Sequence, residues 1–97
     1  MDKRVIVLHP DDNVATAIAD LEKGDVIQIV GRADCVAGEQ VPFGHKIALD
    51  PISAGQAVIK YSENIGLATV DIKRGVCVHT HNVESQRGRG DRAGEAK

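Results

Sequence analysis

The sequence predicts a mainly β domain of short strands, with one short helix near its N-terminus. Three observations carry that expectation. Short runs of Val, Ile, Leu and Ala recur, each bounded by Gly, Pro, Asp or Asn. Only one segment shows helical rather than strand-like spacing. An Asp, an apolar residue and a Gly recur in front of strand-like runs, as Asp20-Leu21-Glu22-Lys23-Gly24, Asp50-Pro51-Ile52-Ser53-Ala54-Gly55 and Asp71-Ile72-Lys73-Arg74-Gly75. In each, the apolar residue plugs the core and Gly admits the positive φ of a tight reversal. Short strands entered by such turns make a folded-over β domain.

Each element follows in turn. Arg4 to Leu8 reads as a strand. His9-Pro10-Asp11-Asp12-Asn13 breaks it, because Pro10 has no N–H for a ladder and Asp and Asn favour caps and turns. Val14, Ala17, Ile18 and Leu21 recur at helical spacing, and Ala15 and Ala19 raise helix propensity. A short helix is expected there, ended by Lys23-Gly24. Val26 to Val30 is a strand. Arg32 to Gln40 is a turn or hairpin, and Val41 to Lys46 is irregular around Pro42 and Gly44. Ile47-Ala48-Leu49 and Ala57 to Tyr61 are strands, and Ser62 to Gly66 a loop. Leu67 to Val70 and a ribbon from Val76 to His81 complete the domain, 1–85. Residues 86–97 have only Ala93 and Ala96 as apolar side chains and read as a flexible basic tail. The Arg89-Gly90-Asp91 tripeptide within it is read as chance.

Composition removes several functions. Aromatics make up 2% of the 97 residues, so base-stacking platforms are excluded. A net charge of −2 provides no field for nucleic acid or an acidic membrane. No apolar run approaches a membrane span, and the N-terminal residues lack the apolar core of a secretory signal. A cytoplasmic protein with Cys35 and Cys77 reduced is expected. Edges of short strands make a homo-oligomer plausible.

Three clusters carry candidate chemistry. In an extended ribbon His79 and His81 share one face, with Asn82 and Glu84 just beyond. Same-face imidazoles suit a metal ion or an acid/base role, but two donors do not complete a metal site. Cys77 is out of phase with them and points to the core. In Phe43-Gly44-His45-Lys46, Gly44 brings the backbone close to a ligand, Lys46 holds a carboxylate and His45 moves a proton. His9 to Asn13 either caps the following helix or binds an anion at its start. No P-loop, dinucleotide glycine motif or Ser/His/Asp order is present.

Four blocks in order resemble the altronate and galactarate dehydratase family. They are His9-Pro10-Asp11-Asp12-Asn13-Val14-Ala15, Gly44-His45-Lys46-Ile47-Ala48-Leu49, Ile59-Lys60-Tyr61 with Ile65-Gly66, and His79-Thr80-His81-Asn82-Val83. The resemblance implies the N-terminal SAF domain of that family, a β-clip fold. It departs at His9, where the family often has Asn, and at Ser62, where Gly is usual; both departures bear on substrate preference. The resemblance implies a stand-alone small subunit of a sugar-acid hydro-lyase, inactive alone, that completes the active site of a separate large subunit. It also implies a divalent metal, Fe2+ or Mn2+. His45, His79 and His81 are then expected to be catalytic, Lys46 and Asn82 to bind substrate, and His79 and His81 to ligate metal. A sulfolactate sulfo-lyase small subunit, or a non-catalytic carbohydrate-binding or assembly module, is the alternative.

Overall fold

The computed structural model describes residues 3–85. Within them the chain forms nine strands: β1 (Val5–Ile6), β2 (Val14–Ala17), β3 (Val26–Ile27), β4 (Cys35–Val36), β5 (Lys46–Ala48), β6 (Ala57–Lys60), β7 (Glu63–Ala68), β8 (Cys77–Val78) and β9 (Val83–Glu84). A four-stranded antiparallel sheet has the order β1-β2-β5-β8, beside a β3-β4 pair and a β6-β7-β9 sheet. The basic tail expected over 86–97 lies outside the described residues.

No helix is present among the described residues, and the short helix expected near the N-terminus is a strand. β2 is bonded on both sides, with Val5 opposite Ala17 and Val14 opposite Ala48. Val14, Ala15 and Ala17 are buried on both faces of the sheet. Leu21 belongs to the next turn, and Ile18 is 40% exposed. The helical spacing therefore joined residues with unrelated roles, and pairing on both edges overrode the helix preference of alanine. Glu63 to Gly66, expected as a loop, extends β7 instead.

The central sheet separates two apolar clusters. Ala15, Ala17, Ile47 and Cys77 face one, with Leu21, Ile27 and Val41. Val14, Ala48 and Val78 face the other, with Ile52, Val58 and Ile72. This is the two-residue alternation of a strand buried on both sides.

Four copies of one turn enter β3, β5, β6 and β8. The three readable in the sequence are joined by a fourth, Val41-Pro42-Phe43-Gly44. Gly24, Gly44, Gly55 and Gly75 have φ of 93°, 88°, 88° and 89°. The plugs meet pairwise, Leu21 bridging Val41 and Ile52 bridging Ile72. Each Gly N–H bonds a carbonyl of a neighbouring segment: Ala37, Ala17, Ala68 and Ala48 respectively. Asp20 Oδ1 accepts from the Phe43 N–H at 2.8 Å, and Asp71 Oδ1 likewise accepts from Ala54 at 2.9 Å. The repeat is thus two pairs of facing turns.

The His9 to Asn13 block caps no helix. Asn13 clamps β6, donating from Nδ2 to the Ala57 carbonyl at 3.0 Å and accepting from the Ile59 N–H at 2.7 Å. Asp12 is 1% exposed and accepts from the Ser62 N–H at 2.8 Å. Ser62 and Tyr61 form the two-residue turn between β6 and β7, with φ of 68° and 55°.

Candidate functional site

The site is built by the pairing of β5 with β8. Lys46 lies opposite Val78 and Ile47 opposite Cys77. Continuing the ladder by one rung sets His45 opposite His79. Their rings stack, with centroids 3.7 Å apart and planes 9° from parallel. His45 leaves the second Gly turn, its N–H bonded to the Pro42 carbonyl at 2.9 Å. The Cys77 Sγ lies 3.6 Å from His45 Nδ1, and the Cys77 N–H donates to Glu39 Oε2 at 2.8 Å. Cys77 does face the core, yet its thiol also meets the site.

After Val78 the chain turns instead of continuing as a ribbon, so His79 and His81 do not share an extended face. Asn82 causes this. Its Oδ1 accepts from the His79 N–H at 2.9 Å, and its Nδ2 donates to the Cys77 carbonyl at 2.9 Å. Its N–H closes the turn on the His79 carbonyl at 3.1 Å, and its carbonyl accepts from Thr69. Asn82 is 4% exposed, and its amide is engaged within the turn. In this structure it positions His79. His81 stands exposed on the turn.

Lys46 is on the opposite face of β5 from His45. It lines a cleft of about 200 Å³ with Ile65, Val78, His79, Thr80 and Val83. Desolvation and the charge of Lys60 push the Lys46 ammonium below its usual pKa, with an opposing pull from Cys77. Desolvation, then the neighbouring His45, Lys46 and His81, hold the His79 imidazole below its ordinary value. Burial and the Glu39 carboxylate raise the Cys77 thiol. The His79 ring stacks on His45 while the residue also borders the cleft that Lys46 lines, so an amine able to hold a carboxylate and an imidazole able to exchange a proton flank the same strand end.

The residues present do not make a metal centre by themselves. Among the described residues no three His, Cys, Asp or Glu side chains converge. Imidazole lone pairs lie in the ring plane, so the parallel His45 and His79 rings do not aim at one ion.

His45, Lys46 and His79, which lie in two separate sequence blocks, are thus brought together. Cys35 and Cys77 are both free and buried. The Cys77 contact and Glu39 went unread in the sequence. The signal was available in the matching parity of 45 and 47 with 77 and 79, once those blocks are paired. A second, larger cleft of about 340 Å³ lies between the β1 segment and Gln28 to Arg32, and its walls are mostly aliphatic.

Among the described residues the chain is an all-strand domain with a cleft bordered by Lys46 and His79. The profile of the altronate/galactarate dehydratase SAF domain matches residues 3–86, and the chain belongs to that family. It is 42% identical to altronate dehydratase of Escherichia coli (strain K12) over 80 residues, covering 82% of this chain and 16% of that protein. It is 36% identical to altronate dehydratase of Bacillus subtilis (strain 168) over 83 residues, again 16% of the relative. It is 47% identical to (2R)-sulfolactate sulfo-lyase subunit alpha of Paracoccus pantotrophus over 51 residues, covering 53% of this chain and 76% of that subunit. The chain therefore spans about a sixth of the altronate dehydratases it matches. No helix among the described residues is long and apolar enough to cross a membrane.

Proposed function

We propose that this chain is the small subunit of a cytoplasmic sugar-acid hydro-lyase and covers the active site of a separate large catalytic subunit. One observation carries the reading. The β5–β8 register stacks His45 on His79 on one face and sets Lys46 on the other, and Lys46 and His79 both border one cleft at that strand end.

The reaction in this reading breaks the C–H bond α to a carboxylate, forms a C=C bond, and expels the β-hydroxyl as water. Lys46 holds the carboxylate. The uncharged His79 takes or returns a proton, with its ring held in plane by His45 and its backbone by Asn82. His81, exposed on the same turn, is the second proton carrier. Asn82 shapes the substrate-facing turn. A divalent metal, Fe2+ or Mn2+, belongs to this reading as a group that the large subunit would mainly hold, with His79 and His81 as the residues of this chain that would add to its ligands; when bound it would polarise a substrate carboxylate. The free chain is inactive, because its cleft is only one wall of a site.

The likeness to a sulfo-lyase subunit alpha favours a second reading, in which sulfite leaves instead of water. A carbohydrate-binding or assembly module without catalysis is the outcome of a failed test. The test assays the large dehydratase chain of the same organism on a panel of sugar acids and on sulfolactate, with and without this chain. Activity is expected only with both chains, and His79→Ala is expected to lower kcat by about 100-fold or more. Equal activity with and without this chain overturns the reading.

A further inference from the structure

We propose that the Cys77 thiol is the positioning residue of His45: it donates its S–H to His45 Nδ1, fixes the ring as the Nε2–H tautomer, and so makes His45 a hydrogen-bond donor toward substrate. The donor role rests on the hydro-lyase reading above; the tautomer does not.

No step of the reaction proposed above uses this thiol, and the fold does not ask for one. Two residues beyond Gly24 and Gly55, in the places equivalent to Cys77, stand Val26 and Ala57. An aliphatic side chain therefore serves at this point of the turn-and-strand unit. Cys77 is a free thiol and 7% exposed. Its Sγ lies 3.6 Å from His45 Nδ1. Imidazole nitrogen is a good acceptor and sulfur a weak one, so the proton between them belongs to the thiol. The other buried thiol follows the same rule, with Cys35 Sγ donating to the Ala48 carbonyl at 3.5 Å. Both cysteines sit in one apolar cluster, where a buried donor takes the acceptor within reach.

Both partners are held in place. β8 is an outer strand of the four-stranded sheet, and side chains secure the backbone of Cys77 there. Its N–H donates to Glu39 Oε2 at 2.8 Å, and its carbonyl accepts from Asn82 Nδ2 at 2.9 Å. The His45 N–H donates to the Pro42 carbonyl at 2.9 Å, and its own carbonyl accepts from the Ala17 N–H at 2.8 Å. The ring lies on His79, with planes 9° from parallel. That stack fixes the plane of the ring but not its sense. A half turn about the Cβ–Cγ bond keeps the plane and exchanges Nδ1 with Cδ2. The thiol distinguishes the two states, because a ring carbon offers it no lone pair.

The bond made by one imidazole nitrogen decides which nitrogen carries the proton. With Nδ1 occupied as an acceptor, the hydrogen of the neutral ring is on Nε2. His45 then offers an N–H to a substrate oxygen. Its neighbour His79 is left as the ring that takes up a proton, so the two stacked rings have different tasks.

The test reads the tautomer in long-range proton–nitrogen correlation spectra of the isotope-labelled full chain at about pH 8, above the ordinary imidazole range. Exposed His81 is the reference for a ring that nothing holds. Wild type is expected to show His45 protonated at Nε2 alone, and Cys77→Ser the same pattern. Cys77→Val, similar in size but without a donor, is expected to show a mixture of tautomers like that of His81. Wild-type His45 with its proton on Nδ1, or with the same mixture as His81, overturns the assignment without any variant having to fold. A wild-type pattern in Cys77→Val overturns it too. The second arm assays the same chains with the large dehydratase chain of the same organism. Cys77→Val is expected to lower kcat by about tenfold at little changed KM, and Cys77→Ser to recover most of the loss. An unchanged kcat in Cys77→Val overturns the donor role of His45. A wild-type pair without activity on any acid overturns the subunit reading and leaves the tautomer, read on the free chain, standing.

Discussion

Two imidazole rings stacked 3.7 Å apart beside an ammonium group resist a second positive charge. His79 bears this repulsion, after desolvation, and its pKa in the folded chain falls below the ordinary value near 6.5. The sign of the linkage follows. The unfolded chain binds this proton more tightly than the folded chain. The His79 contribution to stability is therefore level at higher pH and declines as pH falls through the ordinary imidazole range. Chemical denaturation at about pH 8 and about pH 5.5 is expected to show a loss at the lower pH that shrinks in His79→Gln. At this scale local spacing singled out His45, Lys46, His79 and Asn82, and the fold brings these residues to one strand end; what spacing did not show is that the Asn82 amide bonds its own turn. A buried bond between a side chain and a backbone five residues away leaves no periodic signal.

At the scale of elements, the β6-β7 hairpin shows what a single substitution in a motif does. Tyr61 and Ser62 both have positive φ, which suits the twist of a two-residue hairpin and strains a residue with a Cβ. Asp12 steadies the turn by accepting from the Ser62 N–H. The sequence linked Ser62, which stands where the resembled motif carries glycine, to substrate preference; the geometry adds a backbone constraint at that position, a φ of 68°. Ser62→Gly is expected to stabilise the fold by about 1 kcal/mol, read as a higher urea midpoint at unchanged m-value. The short strands were legible from their β-branched runs and the glycine turns. The N-terminal helix was misread because Ala-rich β2 is buried by partners far along the chain, and partners are invisible to a local window.

At the scale of the molecule, one sheet serves two cores. Ala15, Ala17 and Ile47 pack into one cluster, while Val14 and Ala48 on the same strands pack into the other. Neither cluster keeps its wall if β2 or β5 detaches. Unfolding is therefore expected as one transition, with calorimetric and van't Hoff enthalpies equal. Two separate transitions would show that the cores are independent. Three of the four turns that organise both cores were readable as an Asp-apolar-Gly echo. The fourth escaped because Val41-Pro42-Phe43-Gly44 is preceded by Gln40 instead of Asp.

The rung that sets His45 against His79 has a consequence for how such a site can change. Its chemistry has an address on a ladder with a step of one residue. Side chains alternate between faces, so a slip or a single inserted residue before β8 would send Cys77 and His79 to the opposite side together. The site therefore cannot drift by small displacements. It can be rewritten letter by letter at fixed addresses, or lost whole.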